Sequence, residues 1–121
     1  MLSLPCPPWL SFAYGSAIFK QATYTEEQLS NSLIDLMLVV EDPVKFHRAM
    51  MQAYPQHYSS VAHSFPWAIL PLQRGGGAIW FNTEVALSPF KRCKYGVISR
   101  ADALADLWQW RNLYLAGRLH K

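Results

Sequence analysis

The first residues able to do chemistry are Tyr14-Gly15-Ser16, a glycine–serine step directly after the short apolar stretch Phe12-Ala13-Tyr14. A glycine lets backbone N–H groups approach a triphosphate closely, and a serine hydroxyl can donate to it as the next element begins. The second is Asp35, an acid inside the apolar run Ile34-Asp35-Leu36. A carboxylate on a neighbouring strand can hold a metal ion that bridges a nucleotide and its acceptor. A nucleotidyltransferase begins with such a pairing. Each part also has a plain structural reading: Gly15-Ser16 as a tight turn, and Asp35 as half of a buried salt bridge, because an unpaired carboxylate is costly to bury.

Other candidates are more scattered. Lys94, in Lys94-Tyr95-Gly96, can reach phosphate oxygens as a point charge or stand solvated at the surface. Lys20, just after the glycine–serine step, is a second such cation. Asn82 can read a base or ribose or simply end its strand, and His57-Tyr58-Ser59 is a polar cluster ahead of a loop. Many nucleotidyltransferases carry a second acid two residues after the first, and here that position is Met37. Another metal ligand is then needed, with Glu41, Asp42 and Glu84 as candidates; Asp42 also suits a helix cap. Arg118 can bind phosphate. His47 reads as structural and His63 as part of a loop, and no His/Cys group has zinc spacing.

The elements that must position these residues follow from the pattern. Residues 1–11, with Pro5, Pro7 and Pro8, form an irregular lead-in, and residues 12–121 form one nucleotidyltransferase-like domain. Phe12–Tyr14 is a short strand. Ser32–Val40 is nearly all apolar, as expected of a central strand covered on both faces. Asp42-Pro43 starts a helix that stops before Pro55. Residues 55–77, rich in Pro and Gly, are loop with short helical pieces. Ala78–Val85 and Lys94–Ser99 are strands, and Ser99 caps a last helix from Arg100 to about Leu115, with Gly117 as its C-cap. This order predicts an α/β (α+β) fold, a small mixed sheet with helices packed on one side.

Composition narrows the partners. The 121 residues are 51% hydrophobic and 16% charged, with a net charge of +3. That charge is mild and unclustered, fitting an anionic ligand rather than a nucleic-acid surface. Such apolar content suggests surface made for a further domain or for lipid. The longest apolar run, Leu33–Val40, is broken by Asp35 and is too short to span a membrane. Cys6 and Cys93 form no motif, so free thiols are expected. Met1–Ser11 lacks Lys and Arg, unlike a secretory signal or an Arg-rich transit peptide.

Seven ordered blocks extend the reading: Phe12–Gln21, Ile34–Leu36, Val40–Arg48, His57–Ser59, Ala78–Asn82, Lys94–Ser99 and Leu113–Lys121. In residues and order they resemble the Tam41/Mmp37 family, the mitochondrial phosphatidate cytidylyltransferases. The resemblance implies transfer of CMP from CTP to phosphatidic acid, giving CDP-diacylglycerol and pyrophosphate, upstream of cardiolipin. It implies magnesium as cofactor, a peripheral position on the matrix side of the mitochondrial inner membrane, and no nucleic-acid partner. It assigns Asp35 and Lys94 to catalysis, Asp35 to the metal, and Gly15, Ser16, Lys20, Asn82 and Tyr95 to the nucleotide. His57, Tyr58, Glu41 and Glu84 remain subsidiary candidates. Family members continue past the Gly-Arg-Leu-His block into a helical domain, so the chain reads as a C-terminally short version. An alternative is an inactive fragment or isoform that keeps the fold and only binds nucleotide or a partner. A nucleic-acid-directed nucleotidyltransferase is a third reading, disfavoured by the weak basicity.

Overall fold

The computed structural model describes residues 3–15, 33–88 and 91–119. Among the described residues four strands form one mixed sheet: β1 (Leu10–Tyr14), β2 (Ile34–Val40), β3 (Ile79–Ser88) and β4 (Lys91–Ser99), in spatial order β1-β2-β4-β3. β2 is antiparallel to β1 and parallel to β4, and β3 is antiparallel to β4. β2 is therefore an inner strand, as its nearly continuous apolar sequence requires.

Helices cover both faces of this sheet. After β2 comes α1 (Pro43–Ala53), capped by Asp42, whose carboxylate accepts from the Lys45 amide at 3.1 Å. Pro43 stands where no amide donor is needed. A 3-10 turn (Pro55–His57), α2 (Ser60–Ser64), a second 3-10 turn (Pro66–Ala68) and α3 (Ile69–Gly75) complete that layer. The region expected to be loop with short helical pieces is thus a nearly continuous chain of short helices: Pro55 and Pro66 start the two 3-10 turns, and Ser59 caps α2. His63 lies in α2 rather than in a loop.

On the opposite face lie α4 (Arg100–Gln109) and α5 (Tyr114–Leu119). The Ser99 hydroxyl caps α4 by accepting from the Asp102 amide at 3.0 Å. α4 ends sooner than its apolar spacing predicts, because Trp110 turns left-handed at φ 54°. Gly117 is inside α5, not past its end. The expectation of helices on one side is corrected accordingly. Strand side chains alternate between two cores. Leu38, Val40, Tyr95 and Val97 pack with Phe46 and Met50 of α1. Met37, Val39, Ile79 and Ile98 pack with Ala103 and Leu115 of α4 and α5.

Both cysteines are free, and Cys93 is buried. No described helix is long and apolar enough to cross a membrane.

Candidate active site

The sheet register places three chemically distinct side chains in one row. Tyr14 of β1 pairs with Asp35 of β2, which pairs with Lys94 of β4. Partners in register share a face at roughly 5 Å spacing, so Asp35 has an aromatic ring on one side and an ammonium on the other. All three stand on the α4–α5 face of the sheet. Asp35 and Lys94 are half-buried.

Gly15 completes this edge. It follows β1 with φ +87°, and a Cβ added there would lie 3.1 Å from Asp35 Oδ2. Only glycine accepts that backbone conformation without strain, and its missing Cβ leaves room beside the carboxylate. Ser16 and Lys20 lie outside the described residues.

Two cations flank Asp35, each seated on aromatic rings. Lys94 Nζ is 4.5 Å from the centre of the Phe81 ring. The Arg118 guanidinium lies 5.0 Å from the centre of Tyr114 and 5.8 Å from that of Tyr14, and donates to the Tyr114 hydroxyl at 3.1 Å. Phe81 and Tyr114 are themselves in contact, 5.6 Å between centres. The structure thus brings Arg118, a phosphate-binding candidate, to the site and adds Tyr114. The sequence signal for them was the Tyr114–His120 block itself, whose proximity to Asp35 depends on the return of α5 to the sheet.

Electrostatics tie the group together. Burial, then the nearby Asp35 carboxylate, push the Tyr14 hydroxyl up to about 12, so it stays protonated. Arg118 is held more firmly in its charged form, chiefly by the hydrogen bond to Tyr114 and also by Tyr14 and Asp35.

Asn82, Tyr95, His57 and Tyr58 come together elsewhere. Tyr95 and Asn82 are only 1% and 3% exposed, on the face of the sheet opposite Asp35 and Lys94. The Tyr95 hydroxyl accepts from Asn82 Nδ2 at 2.8 Å and lies 3.2 Å from His57 Nδ1. Asn82 Oδ1 accepts from the Trp80 indole at 2.9 Å. Next to this group, His47 bonds Tyr58 through Nδ1 at 2.8 Å and Gln73 Oε1 through Nε2 at 3.1 Å. Gln73 gives its amide N–H to the Ala78 carbonyl, so its oxygen faces His47 and His47 Nε2 is the donor. Burial holds His47 and His57 below the usual histidine range and raises Tyr58 to about 12. This network is closed upon itself. The expectation that Asn82 and Tyr95 share one nucleotide pocket with Asp35 is corrected, because alternation along β4 sends Lys94 and Tyr95 to opposite sides.

The candidate second acids are also dispersed. Glu41 follows β2, six residues from Asp35, and its carboxylate accepts from Arg100 at 3.3 Å. Asp42 caps α1. Glu84 lies in β3 where the register with β4 shifts, and its side chain is outside the described part. Met37, on the same face as Asp35, is fully buried. No group of three metal-ligating side chains occurs among the described residues. Asp35 as a single carboxylate still fits magnesium, a hard cation that keeps several waters and takes one or two carboxylates plus phosphate oxygens.

A cavity of about 750 Å³ opens on the other side of the sheet, lined by Val44, His47, Arg48, Met51, Trp67 and Ile69 among others. It is mostly apolar and contains no carboxylate.

A mixed sheet with a glycine turn, one strand carboxylate and cations on either side defines a nucleotidyltransferase-like α/β domain. A family profile described as "Phosphatidate cytidylyltransferase, mitochondrial" matches residues 1–121. Proteins of that name are similar to the chain: 40% identity to the Schizosaccharomyces pombe protein, covering 93% of this chain and 28% of that one; 41% to the Rattus norvegicus protein, covering 93% and 33%. The Saccharomyces cerevisiae protein is 37% identical, covering 100% of this chain and 31% of its own length. The chain belongs to the Tam41/Mmp37 family of mitochondrial phosphatidate cytidylyltransferases. It spans about a third of the length of these relatives.

Proposed function

We propose that the chain carries the nucleotide-binding half of a mitochondrial CTP:phosphatidate cytidylyltransferase. The reaction is attack by a phosphatidate oxygen on the α-phosphorus of CTP. The bond from that phosphorus to the bridging oxygen breaks, and pyrophosphate leaves with its electron pair. CDP-diacylglycerol, a precursor of cardiolipin, is the other product. The observation that carries this reading is the Tyr14–Asp35–Lys94 row beside the Gly15 turn, in a chain of this family.

The residues divide the work. The backbone around Gly15 approaches the phosphates, helped by Ser16 and Lys20. Asp35 would hold magnesium, which when bound would supply positive charge to the triphosphate and the departing pyrophosphate. Lys94 places its ammonium against phosphate oxygens on the β4 side. Asn82 and Tyr95, with His57 and Tyr58, act as positioning residues: their closed network fixes β3 and β4 and so fixes Lys94. A lipid acceptor calls for a membrane surface, and the reading sets this one at the matrix face of the mitochondrial inner membrane, as a peripheral association.

The test is calorimetric titration of CTP with magnesium into the chain and into Asp35→Ala. Magnesium-dependent binding by the parent, weakened at least about tenfold in the variant, is the expected result; a tenfold change corresponds to about 1.4 kcal/mol. Absence of binding by a folded parent overturns the reading. Because the chain spans about a third of its relatives, a second reading is nucleotide binding without turnover. Incorporation of labelled CTP into phosphatidate vesicles separates the two.

A further inference from the structure

Among the described residues near Asp35, Arg118 is a strongly charged group that the proposed reaction has not used. Its guanidinium rests on Tyr14 and Tyr114 and is tethered by the Tyr114 hydroxyl. Among the described residues it forms no ion pair with a carboxylate. That arrangement leaves its remaining N–H donors available while restricting where the fork can lie. Tyr14, one of its two seats, is the residue immediately before Gly15 and the register partner of Asp35. Arg118 therefore shares the β1 side of Asp35 with the glycine turn, whereas Lys94 stands on the β4 side.

We propose that Arg118 is a polyphosphate clamp, binding the terminal phosphates of the nucleotide, the part that leaves as pyrophosphate. This rests on the nucleotide reading of the site given above. The chemistry favours it on two counts. A planar guanidinium binds phosphate oxygens in a bidentate manner, which a lysine in its place cannot reproduce. In addition, among the described residues one carboxylate between two cations leaves this edge of the sheet net positive, which suits a highly charged anion. The split of labour is specific: Arg118 and Gly15 hold the leaving group, and Lys94 faces the phosphorus that is attacked.

The test compares magnesium-dependent binding of CTP, CMP and inorganic pyrophosphate to the parent, Arg118→Gln, Arg118→Lys and Tyr114→Phe, with Asp35→Ala alongside. Arg118→Gln is expected to weaken CTP and pyrophosphate about tenfold to a hundredfold, equivalent to about 1.4–2.7 kcal/mol, and to leave CMP within about twofold. Arg118→Lys recovers only part of the loss. Tyr114→Phe, which keeps the ring and removes the tether, costs a few-fold on the same two ligands. Equal weakening of all three ligands in Arg118→Gln, or no change in any, overturns the clamp. Tyr114→Phe keeps the proposal falsifiable if Arg118→Gln unfolds: an unchanged pyrophosphate affinity there also counts against it. Intact pyrophosphate binding in Arg118→Gln, lost in Asp35→Ala, removes the clamp and leaves the nucleotide site standing. No binding of any ligand by the folded parent removes both.

Discussion

Gly15 shows how much one missing methyl group can control. Its φ of +87° is a conformation side chains rarely adopt, and a Cβ would reach 3.1 Å from Asp35 Oδ2. Gly15→Ala therefore strains the turn and crowds the carboxylate at once. We expect a stability loss of about 1–3 kcal/mol and a loss of magnesium-dependent CTP binding that exceeds what unfolding explains. Chemical denaturation beside calorimetry checks both, and an unchanged CTP affinity in the folded variant would mean that the turn does not shape the site. At this scale the sequence was legible where a residue type is costly without a purpose. A carboxylate in an apolar strand and a glycine at a strand end each stood out. Arg118 reads in the sequence only as a general phosphate ligand, because a basic residue near a helix end has many uses and only packing brings it onto Tyr14. Tyr95 and Asn82 were misplaced for the opposite reason: residue type suggested a ligand, while strand alternation assigned them to the core.

At the scale of elements, the α4–α5 junction depends on a single acid. Asp106, 1% exposed, accepts from the amides of Asn112 and Leu115 at 2.7 Å each and of Ala116 at 3.3 Å. It thereby satisfies the first donors of α5, the helix that delivers Tyr114 and Arg118. Burial pushes its carboxyl up, but the backbone donors outweigh that and leave it below the usual aspartate range. The sign follows from linkage. The unfolded chain binds the proton first as pH falls, so this contribution is complete above about pH 4, the ordinary aspartate value, and is lost as pH drops through the lower folded value. Asp106→Asn should cost about 1–3 kcal/mol at neutral pH and show a smaller further loss on acidification than the parent. Denaturation midpoints at neutral and acid pH test this, and parallel acid losses in the two proteins would refute it. The sequence showed the α1 cap and the β2 strand because each is a local signal. It did not show the break at Trp110, since Leu104, Leu107 and Trp108 continue the helical spacing and the stop comes from Asp106 pulling the chain back. The short helical pieces expected within residues 55–77 are present, but their extent was not legible, because Pro55 and Pro66 start 3-10 turns here rather than loop.

For the whole molecule, two-sided coverage of the sheet accounts for both the high apolar content and its excess. The strand order β1-β2-β4-β3 was not legible, because β2–β4 pairing joins segments more than fifty residues apart and nothing local encodes it. Apolar surface remains after both cores are filled. Trp108 is 89% exposed and Trp67 74%, on opposite sides of the sheet, with Trp110, Leu104, Leu107 and Phe65 also exposed. Fully burying one tryptophan removes roughly 200 Å² from water, a gross gain of about 5 kcal/mol. A symmetric contact buries one ring from each copy, about 10 kcal/mol gross, against an association cost of about 4–15 kcal/mol. The net gain is at most about 6 kcal/mol, so self-association of this chain should be weak and concentration-dependent, with a dissociation constant no tighter than roughly 40 μM. Each ring is an alternative seat, so Trp108→Ser or Trp67→Ser alone should weaken the contact several-fold, while the double variant should stay monomeric. Light scattering across a concentration series measures this directly. A parent that is monomeric throughout the range would show that these rings are too dispersed to act as a patch, and a double variant that associates as the parent does would place the contact elsewhere.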